Sequence, residues 1–96
     1  MSSPAPDEIV VRHNAAASRF EATVGPHLAV ADYALAEGRV IFTHTYVPTN
    51  LRGHGIAEKL VRAGLEWARA EGRRVVPECS YVAAFIQRHP EFQPLL

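Results

Sequence analysis

A short turn that contains Gly53 and Gly55 carries the clearest chemical signal in the sequence. It follows an apolar run that ends near Val47 and leads directly into residues with the spacing of an amphipathic helix. Glycines adopt backbone angles closed to other residues and leave no side chain between backbone N–H groups and a bound anion. The first N–H groups of a helix have no partner inside it and lie at the positive end of its dipole. The turn therefore predicts a cradle for a phosphate or pyrophosphate group.

Two familiar phosphate loops do not fit this turn. The nucleotide P-loop needs a Lys-Ser or Lys-Thr pair after its glycines, and no such pair follows Gly55. The dinucleotide fingerprint needs a third glycine three positions after the second, where this chain has Glu58. The turn belongs to neither class.

Two other side chains have the chemistry of a nucleophile and of a base. Cys79 falls where a strand is expected to end and a helix to begin, a position that lowers the pKa of a thiol; a small buried hydrophobic residue is the alternative interpretation. His44 falls in a strand, on the face of Phe42 and Tyr46 if side chains alternate, where it could accept a proton from a thiol or an amine. A hydrogen-bonded core histidine is the alternative for His44. If the strands that carry them are neighbours, His44 and Cys79 lie close together.

The residues before the turn predict strands joined by tight reversals of the chain. Apolar and β-branched residues alternate with polar ones, and Gly25-Pro26 and Glu37-Gly38 mark two of the reversals. The four predicted strands cover residues 8–13, 18–24, 27–35 and 39–47. Strands joined in this way form an antiparallel meander of four.

The residues after the turn predict a helix, a fifth strand and a second helix. Apolar residues recur at helical spacing from Ile56 to Ala68, and Gly72 is a natural stop. A fifth strand is expected over residues 73–77 and a second helix over about residues 80–88. A strand–helix–strand crossover makes the fifth strand parallel to the fourth. The predicted fold is therefore α+β, with a mixed sheet, a four-stranded antiparallel meander, a crossover helix and a C-terminal helix.

Length, charge and cysteine content limit the classes of function. With 96 residues, the chain is expected to form a single domain over residues 8–96, after a flexible tail, rich in Ser and Pro, over residues 1–7. Ten basic and ten acidic residues cancel, so we expect neither nucleic acid nor a membrane as a partner. A single cysteine and the lack of a signal segment favour a cytoplasmic location. The scattered histidines show no ligand spacing, so we expect no metal.

In its strand–loop–helix context, the hexapeptide Arg52-Gly53-His54-Gly55-Ile56-Ala57 resembles the Arg/Gln-x-x-Gly-x-Gly/Ala signature of the GNAT superfamily of acetyl-CoA-dependent N-acetyltransferases. The segments 44–48 and 77–82 extend the likeness, over roughly residues 8–96, to a short single-domain branch. The resemblance implies that the loop binds the CoA pyrophosphate and that the end of the fourth strand aligns the pantetheine arm. The cofactor-binding residues it implies are Thr45, Tyr46, Val47, Arg52, Gly53, His54 (through its backbone), Gly55, Ile56 and Ala57, and the catalytic ones are Cys79 and His44.

The chain departs from the superfamily pattern in two ways. Many members have Asn at the end of strand five and, seven residues later, a tyrosine that protonates the departing CoA thiolate. This chain has Cys79 and Ile86 at those positions, which leaves Tyr81 as a candidate substitute. Ordinary members also carry one or two helices between the first two strands, where this chain has only residues 14–17. We therefore expect the acceptor side of the site to be open and shallow.

The resemblance implies transfer of the acetyl group of acetyl-CoA to an amine acceptor, either a small molecule or a protein. In one mechanism the amine, deprotonated by His44, attacks the thioester directly, and Cys79 helps to position it or protonates the departing thiolate. In the other, Cys79 first takes the acetyl group with His44 as its base. A CoA-binding sensor or interaction module with little transferase activity is the alternative function. The short connection between the first two strands favours that alternative.

Overall fold

Five strands form one mixed sheet in the computed structural model, which describes residues 9–96. In spatial order they are β1 (Val11–Asn14), β2 (Arg19–Val24), β3 (His27–Ala36), β4 (Arg39–Tyr46) and β5 (Arg74–Pro77). Neighbours among the first four strands pair antiparallel, and β5 pairs parallel with β4. The predicted α+β fold, with its meander and its crossover, is confirmed. The tail predicted over residues 1–7 lies outside the described residues.

Two helices pack side by side against the sheet. The crossover helix α1 (Ile56–Ala70) contacts all five strands, and α2 (Ser80–Arg88) lies beside α1 against β4 and β5. Short 3-10 turns occupy Ala15–Ala17, Thr49–Leu51 and Pro90–Leu95. Alternate residues of β3 from Ala29 to Tyr33 are buried, whereas those between them are only half-buried. Within residues 9–96, the helices therefore cover one face of the sheet and leave the other open.

Gly64 allows α1 to approach the sheet closely. Phe42 of β4 is fully buried beneath the helix, and a Cβ placed on Gly64 would lie 2.8 Å from Cε1 of Phe42. Packed protein interiors do not tolerate so short a contact, so a side chain at this position would push α1 away from β4. Because α1 begins at the glycine turn and β4 ends beside it, this packing sets the distance between them.

A bulge in β4 reverses the alternation of its side chains. Tyr33 pairs with Phe42, but the preceding residue of β3, Asp32, pairs with His44, so Thr43 is an extra residue in β4. An inserted residue turns the side chains that follow it to the opposite face of the sheet. The prediction that His44 shares a face with Phe42 is therefore wrong, because Phe42 is buried and His44 is exposed beside Asp32.

We expect replacement of Gly64 with valine to lower the free energy of unfolding by about 1–3 kcal/mol, because the added methyl groups overpack the contact with Phe42. Chemical denaturation measures the change. Valine at the exposed Ala70 of the same helix is the matched control and should change stability by no more than about 0.5 kcal/mol. Equal effects of the two valines would contradict the close packing of α1 on β4.

Candidate functional site

A cleft opens where β4 and β5 separate. Their pairing ends at Phe42 and Pro77, and the backbone N–H of Cys79 then donates a hydrogen bond of 2.8 Å to the carbonyl of Phe42. Beyond that bond β4 continues to Tyr46, and in the described part of the chain no strand pairs with it on its β5 side. The cleft has a volume of about 550 Å³ and is bounded on its other side by the start of α1.

This cleft brings together most of the residues that the sequence singles out. From the predicted set, its walls contain His44, Thr45, Tyr46, Val47, Arg52, Gly53, Gly55, Ile56 and Ala57. Leu51, Glu58 and Tyr81 complete the walls, whereas Cys79 and His54 are not part of them. The chain therefore gathers these side chains around one space, and the role of each residue stays a prediction.

The glycine turn and the start of α1 carry a run of backbone N–H groups beside the cleft. Gly53 and Gly55 have φ angles of +89° and +75°, in the left-handed region that favours glycine. The first hydrogen bond of α1 runs from the N–H of Lys59 to the carbonyl of Gly55, and no side chain caps the helix. Within residues 9–96, the N–H groups of residues 53–58 consequently have no hydrogen-bond partner. A Cβ on either glycine would meet nothing within 4 Å, so an anion has room to reach these donors.

Arg52 connects the glycine turn to the end of β4. Its Nε donates a hydrogen bond of 3.1 Å to the carbonyl of Val47, and the residue is exposed. This bond folds the loop back over the strand and holds the base of the guanidinium beside the cleft. The two Nη atoms are left to meet a negatively charged group there.

Cys79 is the N-cap residue of α2, with its Sγ 3.4 Å from Oγ1 of Thr45. Burial opposes ionisation of the thiol, but the hydrogen bond with Thr45 and the nearby backbone N–H groups of Val82 and Tyr81 outweigh it, so the pKa of Cys79 is lowered. These N–H groups act on the sulfur electrostatically, because no side-chain cap hydrogen bond closes at this helix start. The surroundings of Cys79 favour the thiolate, which is the nucleophilic form.

The side chain that is hydrogen-bonded to Cys79 is not that of His44, the residue that the sequence predicted to lie close to it. β4 and β5 are neighbours, as predicted, but the side chain bonded to Cys79 is that of Thr45. His44 pairs with half-buried Asp32 across the sheet, whereas Thr45 pairs with fully buried Ala31. The two successive side chains therefore point to opposite faces of β4. His44 lines the cleft from the open face, and its role as a base stays a prediction.

Tyr81 brings a phenol into the cleft from the first turn of α2. Its pKa is raised by burial and by the negative charge of Glu58, against an opposing effect of Arg88. The hydroxyl therefore stays protonated at neutral pH and can donate a proton or a hydrogen bond. Sequence analysis assigned no role to Glu58, although its place in the first turn of the helix after the glycines brings it to the same cleft.

Residues 9–96 contain neither a candidate metal site nor a candidate membrane-spanning helix. In that part of the chain, no three histidine, cysteine or carboxylate side chains lie close enough together to hold a metal ion. None of its helices combines the length and the apolar composition that crossing a membrane requires. The expectations that the protein uses no metal and has no membrane partner stay predictions.

We expect the thiol of Cys79 to react with iodoacetamide at lower pH than an ordinary cysteine, because its pKa is lowered in part by Thr45. Replacing Thr45 with valine removes the hydroxyl, so the midpoint of the rate–pH profile should move upward. Serine at the same position keeps the hydroxyl and should keep the wild-type midpoint. Coincident profiles for the wild type and the valine variant would show that the hydroxyl does not act on the thiol.

The fold is similar to the NMR solution structure of a GCN5-like candidate N-acetyltransferase from Staphylococcus aureus, with a TM-score of 0.72. The similarity covers 90% of this chain and 85% of that chain at 21% sequence identity. At that level of identity the likeness supports the fold alone.

A curated relative, Protein NATD1 from Bos taurus, is 35% identical over 63 residues. The match covers 65% of this chain and 56% of the bovine protein, so the chain spans just over half the length of that relative. Residues 19–95 match the family described as GCN5-related N-acetyl-transferase, a span that runs from β2 through the glycine turn and α2. The chain therefore belongs to the GCN5-related N-acetyltransferase family, the GNAT superfamily that its glycine turn resembles.

Proposed function

We propose that this protein binds acetyl-CoA in the cleft between β4 and α1 and transfers its acetyl group to an amine. Membership of an acetyltransferase family supports acetyl transfer in general. The observation that carries the finer proposal is the row of N–H groups of residues 53–58, which have no partner within residues 9–96. A pyrophosphate supplies acceptors for such a row and the negative charge that a helix start favours.

The pantetheine arm would follow the unpaired edge of β4. Residues 45–47 line the cleft, and β5 ends before it reaches their level. Apart from the carbonyl of Val47, which accepts from Arg52, their backbone groups on that side therefore remain available to the amide groups of pantetheine, as in the pairing of an added strand. The arm would bring the thioester toward Thr45, whose hydroxyl contacts Cys79.

Of the two mechanisms, the lowered pKa of Cys79 supports the covalent one. The thiolate of Cys79 attacks the carbonyl carbon of the thioester, a new S–C bond forms, and the bond from that carbon to the CoA sulfur breaks. The CoA thiolate leaves and takes a proton from the hydroxyl of Tyr81, which recovers it from solvent. The acceptor, as an ammonium, then gives one proton to His44, and the neutral amine attacks the acetyl carbon. The bond from that carbon to the sulfur of Cys79 breaks and releases the thiolate, and the second proton of the nitrogen passes to solvent.

An open acceptor side fits this mechanism. The connection between β1 and β2 is only the turn Ala15–Ala17, and within residues 9–96 no helix covers the face where His44 lies. An amine on a small molecule or on a protein can therefore approach His44 from solvent. A thiol used in this way requires a reducing compartment, which fits the expected cytoplasmic setting.

The same openness favours a second candidate function, a CoA-binding module with little transferase activity. A shallow acceptor side offers few contacts to orient an amine, and orientation contributes much of the rate in reactions of this type. Turnover with a defined amine excludes this candidate. Binding of CoA without turnover on a broad panel of amines supports it.

We expect valine at Gly55 to abolish measurable CoA binding in a calorimetric titration, because its side chain would occupy the space in front of the N–H groups. Valine at Gly38 is the matched control, since Gly38 has φ of +80°, also meets nothing within 4 Å, and lies in the turn between β3 and β4. Both variants bear similar backbone strain, and only the first should lose CoA. Unchanged affinity in the Gly55 variant would refute the assignment of the cradle.

Intact-protein mass spectrometry after incubation with acetyl-CoA tests the transfer itself. We expect the wild type to gain one acetyl group and to lose it when an amine acceptor is added, whereas the Cys79→Ala variant binds CoA but gains none. Transfer to an amine at the wild-type rate by the Cys79→Ala variant would refute the covalent mechanism and leave direct attack.

A further inference from the structure

Three consecutive residues before the glycine turn attach it to three different parts of the molecule. Leu51 is buried in the core, and Arg52 bonds to the end of β4 through the Val47 carbonyl. Asn50 contacts a third part of the molecule, because its Nδ2 donates a hydrogen bond of 3.0 Å to Nε2 of His27. Since Nδ2 can only donate, His27 accepts as the tautomer that carries its proton on Nδ1.

His27 belongs to the hairpin formed by β2 and β3. It is the first residue of β3, directly after the turn that follows β2, and it pairs with Val24 across that hairpin. Within residues 9–96, the bond to Asn50 is the side-chain hydrogen bond that joins this hairpin to the loop before Gly53. It therefore fixes the loop against a part of the sheet that neither Leu51 nor Arg52 contacts through a hydrogen bond.

We infer that His27 and Asn50 are positioning residues for the pyrophosphate of CoA, an inference that rests on the proposed function. Only two residues separate Asn50 from Gly53, so the position of Asn50 determines where the row of N–H groups points. A donor row held in place before binding loses less conformational freedom when the ligand arrives. The bond itself is exposed, so it contributes little to the stability of the fold while it restrains the loop.

CoA and pantetheine together distinguish this positioning role from a general loss of structure. CoA carries the diphosphate that the row of N–H groups would hold, whereas pantetheine lacks it and would contact only the edge of β4. Loss of the bond between His27 and Asn50 should therefore weaken CoA binding and leave pantetheine binding unchanged. A general loss of structure would weaken both ligands together.

The test titrates CoA by calorimetry and pantetheine by NMR into the wild type and into the His27→Ala, Asn50→Ala, doubly substituted and His27→Gln variants. We expect each alanine variant to bind CoA roughly three- to tenfold more weakly, the range that one hydrogen bond supports. The double variant should be no weaker than the weaker single variant, because both substitutions remove the same bond. Glutamine places an amide near the position of Nε2 and should retain most of the affinity. Pantetheine affinity and the melting temperature should match the wild type throughout.

The possible results distinguish failure of the positioning role from failure of the proposed function on which it rests. Unchanged CoA affinity in both alanine variants would overturn the positioning role while leaving CoA binding intact. Equal losses for CoA and pantetheine, or additive losses in the double variant, would also overturn it, because the residues would then act through the fold or independently. A wild type that binds no CoA would overturn the proposed function together with the inference.

Discussion

The hydrogen bond from the N–H of Cys79 to the carbonyl of Phe42 is the constraint on which the site depends. Within residues 9–96 it is the last backbone hydrogen bond between β4 and the chain that leaves β5, and it holds the two together at the point where the cleft begins. Because Cys79 is the N-cap residue of α2, this bond lies between the end of β5 and the start of that helix. An edge of β4 is thus left unpaired next to a thiol.

Close packing and the bulge then decide which side chains meet in the cleft. Gly64 keeps α1 against Phe42, so the start of that helix stays near the end of β4. The extra residue Thr43 turns Thr45 toward Cys79 and His44 toward the open face. Without the bulge the histidine and the threonine would exchange faces. The thiol of Cys79, with its lowered pKa, and the exposed imidazole of His44 therefore lie on opposite sides of β4.

Sequence patterns were sufficient for the elements and insufficient for their detailed contacts. Alternation and helical spacing predicted the meander and the crossover, and the glycines predicted the row of N–H groups before α1. The bulge at Thr43 could not be predicted from the sequence, because an inserted threonine fits a β-rich run as well as any regularly paired residue. The contact between Thr45 and Cys79 joins positions 34 residues apart and depends on that bulge, so no local pattern contains it.

The proposed function depends on the backbone N–H groups of residues 53–58, which would receive the pyrophosphate of CoA. The most direct test follows the amide resonances of the ¹⁵N-labelled protein during titration with CoA. We expect the largest chemical-shift changes on residues 53–58, with a second group on residues 45–47 at the edge of β4. Binding of CoA that leaves the amides of residues 53–58 unmoved would contradict the proposed pyrophosphate site.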